Sequence, residues 1–220
     1  MPVYKKINKN FFKKWSANMA YVLGFIIADG NISVSKRGSH FLNLKITDKK
    51  LLYDIRTVLQ SNHFIGKRPG TGNEKTKYTL QIGSYEMCDD LRALGLCEKK
   101  SYHLFFPNIP SRYLFHFVRG YFDGDGNVWV GIIHKKRKTQ HIAIQTVFTS
   151  CSQRFLKDLK RALEEYGIKG GLSCRKGFSR LYYSIRSSLH LYKRMYNGKE
   201  IRLYLPRKKI VFEKFIKMRA

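Results

Sequence analysis

Two aspartates set the chemistry open to this chain. Asp29 and Asp125 each close a ten-residue run, Y-V-L-G-F-I-I-A-D-G at 21–30 and F-V-R-G-Y-F-D-G-D-G at 117–126, and the two runs align without a gap. Each is a mostly apolar stretch ending in an acid and a glycine. A helix apolar nearly all round is buried on all sides, and roughly ten residues are too few to span a bilayer. If each run is a helix, its last turn delivers a carboxylate to the negative end of the macrodipole. Two such acids close together also repel, which raises one pKa. A divalent cation removes both penalties. A single Asp-Gly reads as a helix stop followed by a turn. Two copies on matching glycine-bearing helices read as a metal site.

The elements that must hold these acids are legible in the small residues beside them. Ala20, Gly24 and Ala28 recur every fourth residue and so share one helix face. The matching positions in the second run are His116, Gly120 and Gly124. Glycine inside a helix costs roughly 1 kcal/mol relative to alanine, and close approach of another backbone is one reason to accept it. The two helices are therefore expected to pack face to face through Ala20, Gly24, His116 and Gly120, with Asp29 and Asp125 emerging side by side. His116 is read as structural.

Composition points to the partner. The chain has 220 residues, with 43 Lys and Arg against 15 Asp and Glu, a net charge of +28. Such self-repulsion calls for a polyanion; nucleic acid comes first and an anionic membrane surface second. The basic residues fall mainly on β patterns rather than on one amphipathic helix, which argues against the membrane. The cysteines, Cys88, Cys97, Cys151 and Cys174, form no C-x-x-C pair, and the seven histidines make no metal-binding motif. No transmembrane run or signal segment is read, so the expected setting is intracellular, with the DNA.

The order of elements repeats. After Gly30 the pattern switches to period two, with Ile32 and Val34, then Leu42, Leu44 and Ile46, on one face. A helix through Leu52, Ile55 and Leu59 follows, then strands near 63–69 and 77–83, and a helix ending at Gly95. Prolines 107 and 110 mark a linker into the second run. Strands near 127–133 and 141–148, a helix through Leu156, Leu159 and Leu163, and strands near 171–176 and 180–186 repeat the series, with a last helix near 207–218. Residues 1–15 read as a basic, partly ordered arm. The expected fold is α+β: two pseudo-symmetric α-β-β-α-β-β-α halves, 1–106 and 107–220, packed through their motif helices under a saddle of antiparallel β-ribbons.

Core burial explains why one face of these strands is apolar. It does not explain why the other is so basic. Lys36, Arg37, Lys135, Arg137, Arg175 and Arg180, at strand tips, are placed to meet phosphates. Asn43, Lys45, Gln81, Gln145, Tyr182 and Arg186 are placed to meet base edges in a major groove. Lys67, Lys75 and Lys77 join the outward set.

The cores V-L-G-F-I-I-A-D-G and V-R-G-Y-F-D-G-D-G resemble the signature of the LAGLIDADG homing endonucleases, in the single-chain form with two motifs. The resemblance covers nearly the whole chain. It implies that the final acid of each motif, Asp29 and Asp125, binds catalytic Mg²⁺ or Mn²⁺, with the carbonyls of Ala28 and Gly124 as helpers. Ile27 stands where the inner acid of the first motif would be, and Asp123 holds that place in the second. The segments L-G-L-C-E-K-K-S and Y-L-P-R-K-K resemble the ends of the family's halves and point to Lys100 and Lys208 near the scissile phosphates. The implied activity is a monomeric, intron-encoded, site-specific double-strand DNA endonuclease making a staggered cut across the minor groove of a long target. The alternative is a catalytically silent DNA-binding protein or an RNA-splicing maturase of the same fold.

Overall fold

The computed structural model describes residues 5–96, 104–133, 141–198 and 201–219. The first motif forms α1, Ala17–Asp29, started by Ser16, whose hydroxyl accepts from the Met19 N–H at 3.1 Å. Eleven of its thirteen residues are buried, as a helix without a polar face requires. It runs directly into β1, Gly30–Val34, which pairs with β2, His40–Ile46. An amphipathic helix α2, Lys49–Val58, buries Leu51, Leu52 and Ile55. Strands β3, Ile65–Arg68, and β4, Lys77–Gly83, and helix α3, Tyr85–Ala93, complete the first half.

The second half repeats this order. A short 3₁₀ turn, Ser111–Tyr113, leads into the second motif helix α4, Leu114–Asp125. Then come β5, Gly126–Ile133, β6, His141–Ser150, helix α5, Gln153–Glu164, and strands β7, Gly171–Arg175, and β8, Phe178–Tyr183. Two helices follow, α6, Ile185–Tyr196, and α7, Pro206–Lys217. The two sheets have the same antiparallel order, β1-β2-β4-β3 and β5-β6-β8-β7.

The halves meet at α1 and α4. A Cβ added to Gly24 would overlap the carbonyl oxygen of Phe117, and one on Gly120 would overlap that of Tyr21. The two glycines therefore let each backbone lie against the other, as their spacing predicts. One apolar core surrounds the pair, built from α1, α4 and the inward strand residues such as Leu42, Leu44, Leu80, Phe148 and Leu181.

Two elements differ from the sequence reading, and the N-terminal arm, read as partly ordered, gains definition. The seventh element of the second half is α6, and the helix expected at 207–218 is an additional one, α7. Its first residue is Pro206, where a missing N–H costs nothing. The N-terminal arm is anchored within 5–15: Phe11 and Phe12 are buried, and the Lys6 N–H donates to Asn62 Oδ1 at 2.7 Å. The β7–β8 hairpin stops at Tyr183, so Arg186 lies in the first turn of α6 rather than on a strand.

Candidate active site and nucleic-acid interface

Asp29 and Asp125 are the last residues of α1 and α4, and both are exposed where most of each helix is buried. Gly124 makes room for the first of them. A Cβ there would overlap the Ala28 methyl and stand 3.3 Å from Asp29 Oδ2. The Asp29 carboxylate thus lies across the end of the opposite helix. A cavity of about 200 Å³ opens beside it, lined by Asp29, Lys45, Thr47 and Asp48 from the first half and by Gly124 and Arg207 from the second. Both acids act electrostatically on Tyr121 and on Lys208, so they share one neighbourhood.

Lys208 is buried, and its ammonium donates to the carbonyls of Phe122 and Gly126, both at 2.6 Å, Asp123 at 2.8 Å and Gly124 at 3.3 Å. It caps the C-terminus of α4, where unsatisfied carbonyls attract a cation. Burial pushes its pKa down to about 8, with Asp123 the first of the acids opposing the fall. The Gly124 carbonyl, expected as a metal helper, faces this ammonium. Lys100 lies outside the described residues.

The inner acid of the second motif has a structural place. Asp123 is buried; its Oδ2 accepts the Tyr21 hydroxyl at 2.7 Å and the Leu205 N–H at 2.9 Å, while Oδ1 has no hydrogen-bond partner. Burial pushes its carboxyl up to about 6, against the pull of Tyr21 and Lys208. One turn earlier, buried Arg119 donates to the carbonyls of Leu203 at 2.9 Å and Met195 at 2.8 Å, and to His116 Nδ1 at 3.1 Å. Together Arg119 and Asp123 fasten segment 201–205 across α4. His116 is part of this fastening, consistent with a structural reading.

The outward strand faces carry the expected polar residues, with two changes. Asn43 and Lys45 on β2 stand opposite Gln81 and Thr79 on β4, and Lys77 continues that face. Lys67 pairs with Tyr78 of β4, whose partner on β2 is the buried Ile46, so Lys67 belongs to the opposite face. The residue beside Lys77 is Arg68, which the alternation missed. Lys36 and Arg37 are exposed in the β1–β2 turn, and Lys75 lies in the loop before β4. Lys135 and Arg137 lie outside the described residues.

On the second sheet a concave groove of about 510 Å³ is lined by Asn127, Trp129, Gln145, Ser173, Arg175, Arg180 and Tyr182 among others. This gathers Gln145, Arg175 and Tyr182 with Arg180, which lies within β8 opposite Thr149 rather than at a strand tip, and adds Trp129, which is 45% exposed. Trp129 sits in an almost wholly apolar strand, and only its register opposite Gln145 reveals that it faces out.

The two carboxylates supply oxygen donors of the kind that Mg²⁺ or Mn²⁺ takes, and the Asp29 carboxylate lies against Gly124. Among the described residues no three His, Cys, Asp or Glu side chains gather as a metal site. The fit is thus to an ion sharing its remaining ligands with water or phosphate. No described helix is long and apolar enough to cross a membrane.

Solved structures of homing endonucleases share this fold. A variant of I-DmoI aligns with a TM-score of 0.60 at 16% identity, covering 89% of this chain and 97% of that one. I-LtrWI, solved bound to target DNA, aligns at 0.63 and 16% identity over 96% and 90% of the two chains. A double mutant of I-SmaMI aligns at 0.64 and 14% over 93% and 90%. In sequence, 85 residues are 36% identical to a "Probable translation initiation factor IF-2" of Thermococcus kodakarensis, spanning 39% of this chain and only 6% of that protein. The family model described as LAGLIDADG-like domain matches twice, over residues 16–109 and 112–207. Two copies of that match, one on each motif helix with its sheet, make this chain a member of the LAGLIDADG family.

Proposed function

We propose that the chain is a site-specific double-strand DNA endonuclease, acting as a monomer on a long target. The observation that carries this reading is the pair of exposed carboxylates, Asp29 and Asp125, at the shared end of two interlocked helices, beside two four-stranded sheets whose outward faces carry basic and amide side chains. Each half supplies one acid, and a duplex has two strands to cut. The sheets seat the duplex: lysines and arginines at the strand ends meet phosphates, and the polar rows between them meet base edges. Mg²⁺ or Mn²⁺ held by Asp29 and Asp125 would supply water activation and stabilisation of the leaving oxygen. The helix pair fixes the spacing of the two acids, and Lys208 neutralises the carbonyl end of α4 beneath Asp125. A staggered cut and an intron-encoded origin are part of the same reading.

One observation favours a second reading, a DNA-binding protein or RNA-splicing maturase that does not cut. The ammonium of Lys208 is turned into α4 rather than toward a phosphate. A target selected from random duplex DNA separates the two. The nuclease reading expects cleavage with Mg²⁺ by the native chain, and for Asp29→Asn and Asp125→Asn no cleavage with Mg²⁺ but retained binding in Ca²⁺. Tight binding without cleavage in Mg²⁺ or Mn²⁺ gives the case to the binder.

A further inference from the structure

The first sheet carries a row of hydrogen bonds that fixes the orientation of one exposed amide. Register places Gln81 directly opposite Asn43. Gln81 Nε2 donates to Asn43 Oδ1 at 2.8 Å, and Asn43 Nδ2 donates to Ser33 Oγ at 2.9 Å. A hydroxyl both donates and accepts, so Ser33 alone does not set the direction of this row. The Phe41 carbonyl does: it lies 3.5 Å from Asn43 Nδ2, and a carbonyl only accepts. The nitrogen of Asn43 therefore faces Ser33 and Phe41, its oxygen faces Gln81, and Gln81 must offer a nitrogen to it.

That leaves Gln81 with one N–H and its carbonyl oxygen, on a side chain that is exposed on the outward face. In the major groove adenine presents N7, an acceptor, beside the N6 amine, a donor. Guanine presents two acceptors, N7 and O6. One donor beside one acceptor matches adenine and opposes guanine. To suit guanine Gln81 would need both N–H groups and would have to leave Asn43.

Resting on the reading of this face as a DNA surface, we propose that Gln81 is a specificity-determining residue that reads one adenine, and that Asn43 and Ser33 are positioning residues which set its direction. Phosphate contacts from Lys36 and Arg37 in the β1–β2 turn would fix the register of the duplex and carry no such choice.

The test is selection of bound sites from a randomised duplex library by the full chain and three variants. For the native protein one position is held as adenine by roughly 5- to 150-fold over guanine, the worth of one bidentate contact. Gln81→Glu, an acceptor only, moves that position to cytosine, whose N4 amine donates, and leaves the others in place. Asn43→Ala frees the Gln81 amide to turn, so the position relaxes to adenine or guanine. Asn43→Asp still accepts from Gln81 and from the Ser33 hydroxyl, so it retains adenine. If Gln81→Glu binds with every position unchanged, the assignment of Gln81 is wrong. If Asn43→Asp relaxes the position as far as Asn43→Ala does, the positioning row is wrong. A native protein that selects no sequence at all overturns the DNA reading and this inference with it.

Discussion

The hydroxyl of Tyr21, in the first motif, donates to the buried carboxylate of Asp123, in the second, at 2.7 Å. The two halves, which also meet at their surface through the ion pair of Arg207 with Asp48, are thus joined by a polar bond in the middle of the core. Tyr21→Phe keeps the ring and removes the bond. The expected loss is about 1–3 kcal/mol, the cost of stripping a partner from a buried polar group. Chemical denaturation at neutral pH checks it, and unchanged stability would mean that the Leu205 N–H alone suffices for Asp123.

The same carboxylate gives a pH signature. Asp123 has its folded pKa raised to about 6, from an ordinary value near 3.8. The folded state then holds more protons than the unfolded state between those values, so stability falls as pH rises through that window. Above about pH 6 the loss is complete. Asp123→Asn cannot ionise, so subtracting its stability from that of the native chain isolates this fall. A flat difference from pH 4 to pH 6 would show that Asp123 ionises as freely in the fold as outside it.

The helix interface leaves no room for even one methyl group. Gly24→Ala places its Cβ against the Phe117 carbonyl and Gly120→Ala against that of Tyr21, and a backbone atom cannot turn aside. Each is expected to destabilise the chain by roughly 1–3 kcal/mol through overpacking. The thermal midpoint reads this directly. Because both acids ride on these helices, activity should fall with stability.

Salt dependence checks the surface as a whole. With a net charge of +28, the logarithm of affinity for a fixed duplex is expected to fall linearly with that of salt, at a slope near −0.9 per phosphate contacted. Arg68→Ala should shallow this slope by about one contact and Lys67→Ala by less, since Lys67 lies on the far face. Equal effects of the two would contradict the register.

Much of this was legible in the chain because it depends on short, fixed offsets. Gly24, Asp29, Gly120 and Asp125 sit on helical spacing that needs no knowledge of loops. What depends on register across a loop was not. Alternation counted outward from Lys77 loses its phase across residues 69–76, and so points to Lys67 where Arg68 stands. Leu181, Tyr183 and Ile185 keep alternating with polar residues through the end of β8, which hides the change to helix and misplaced Arg186. Phe11 and Phe12 are two apolar residues in a basic flank that reads as partly ordered, and no helical or strand spacing marks them as core. No local pattern could show that Lys208 turns its amine back over a helix end more than eighty residues earlier in the chain.

The two sheets share a topology and differ in their outward faces: one bears the amide row of Asn43 and Gln81, the other the aromatic groove of Trp129 and Tyr182. A protein with true twofold symmetry suits a palindrome and lands on it equally well either way round. This chain has a head and a tail. On the proposed function its target reads differently to left and right, and a reporter group fixed to the first half would always sit over the same flank.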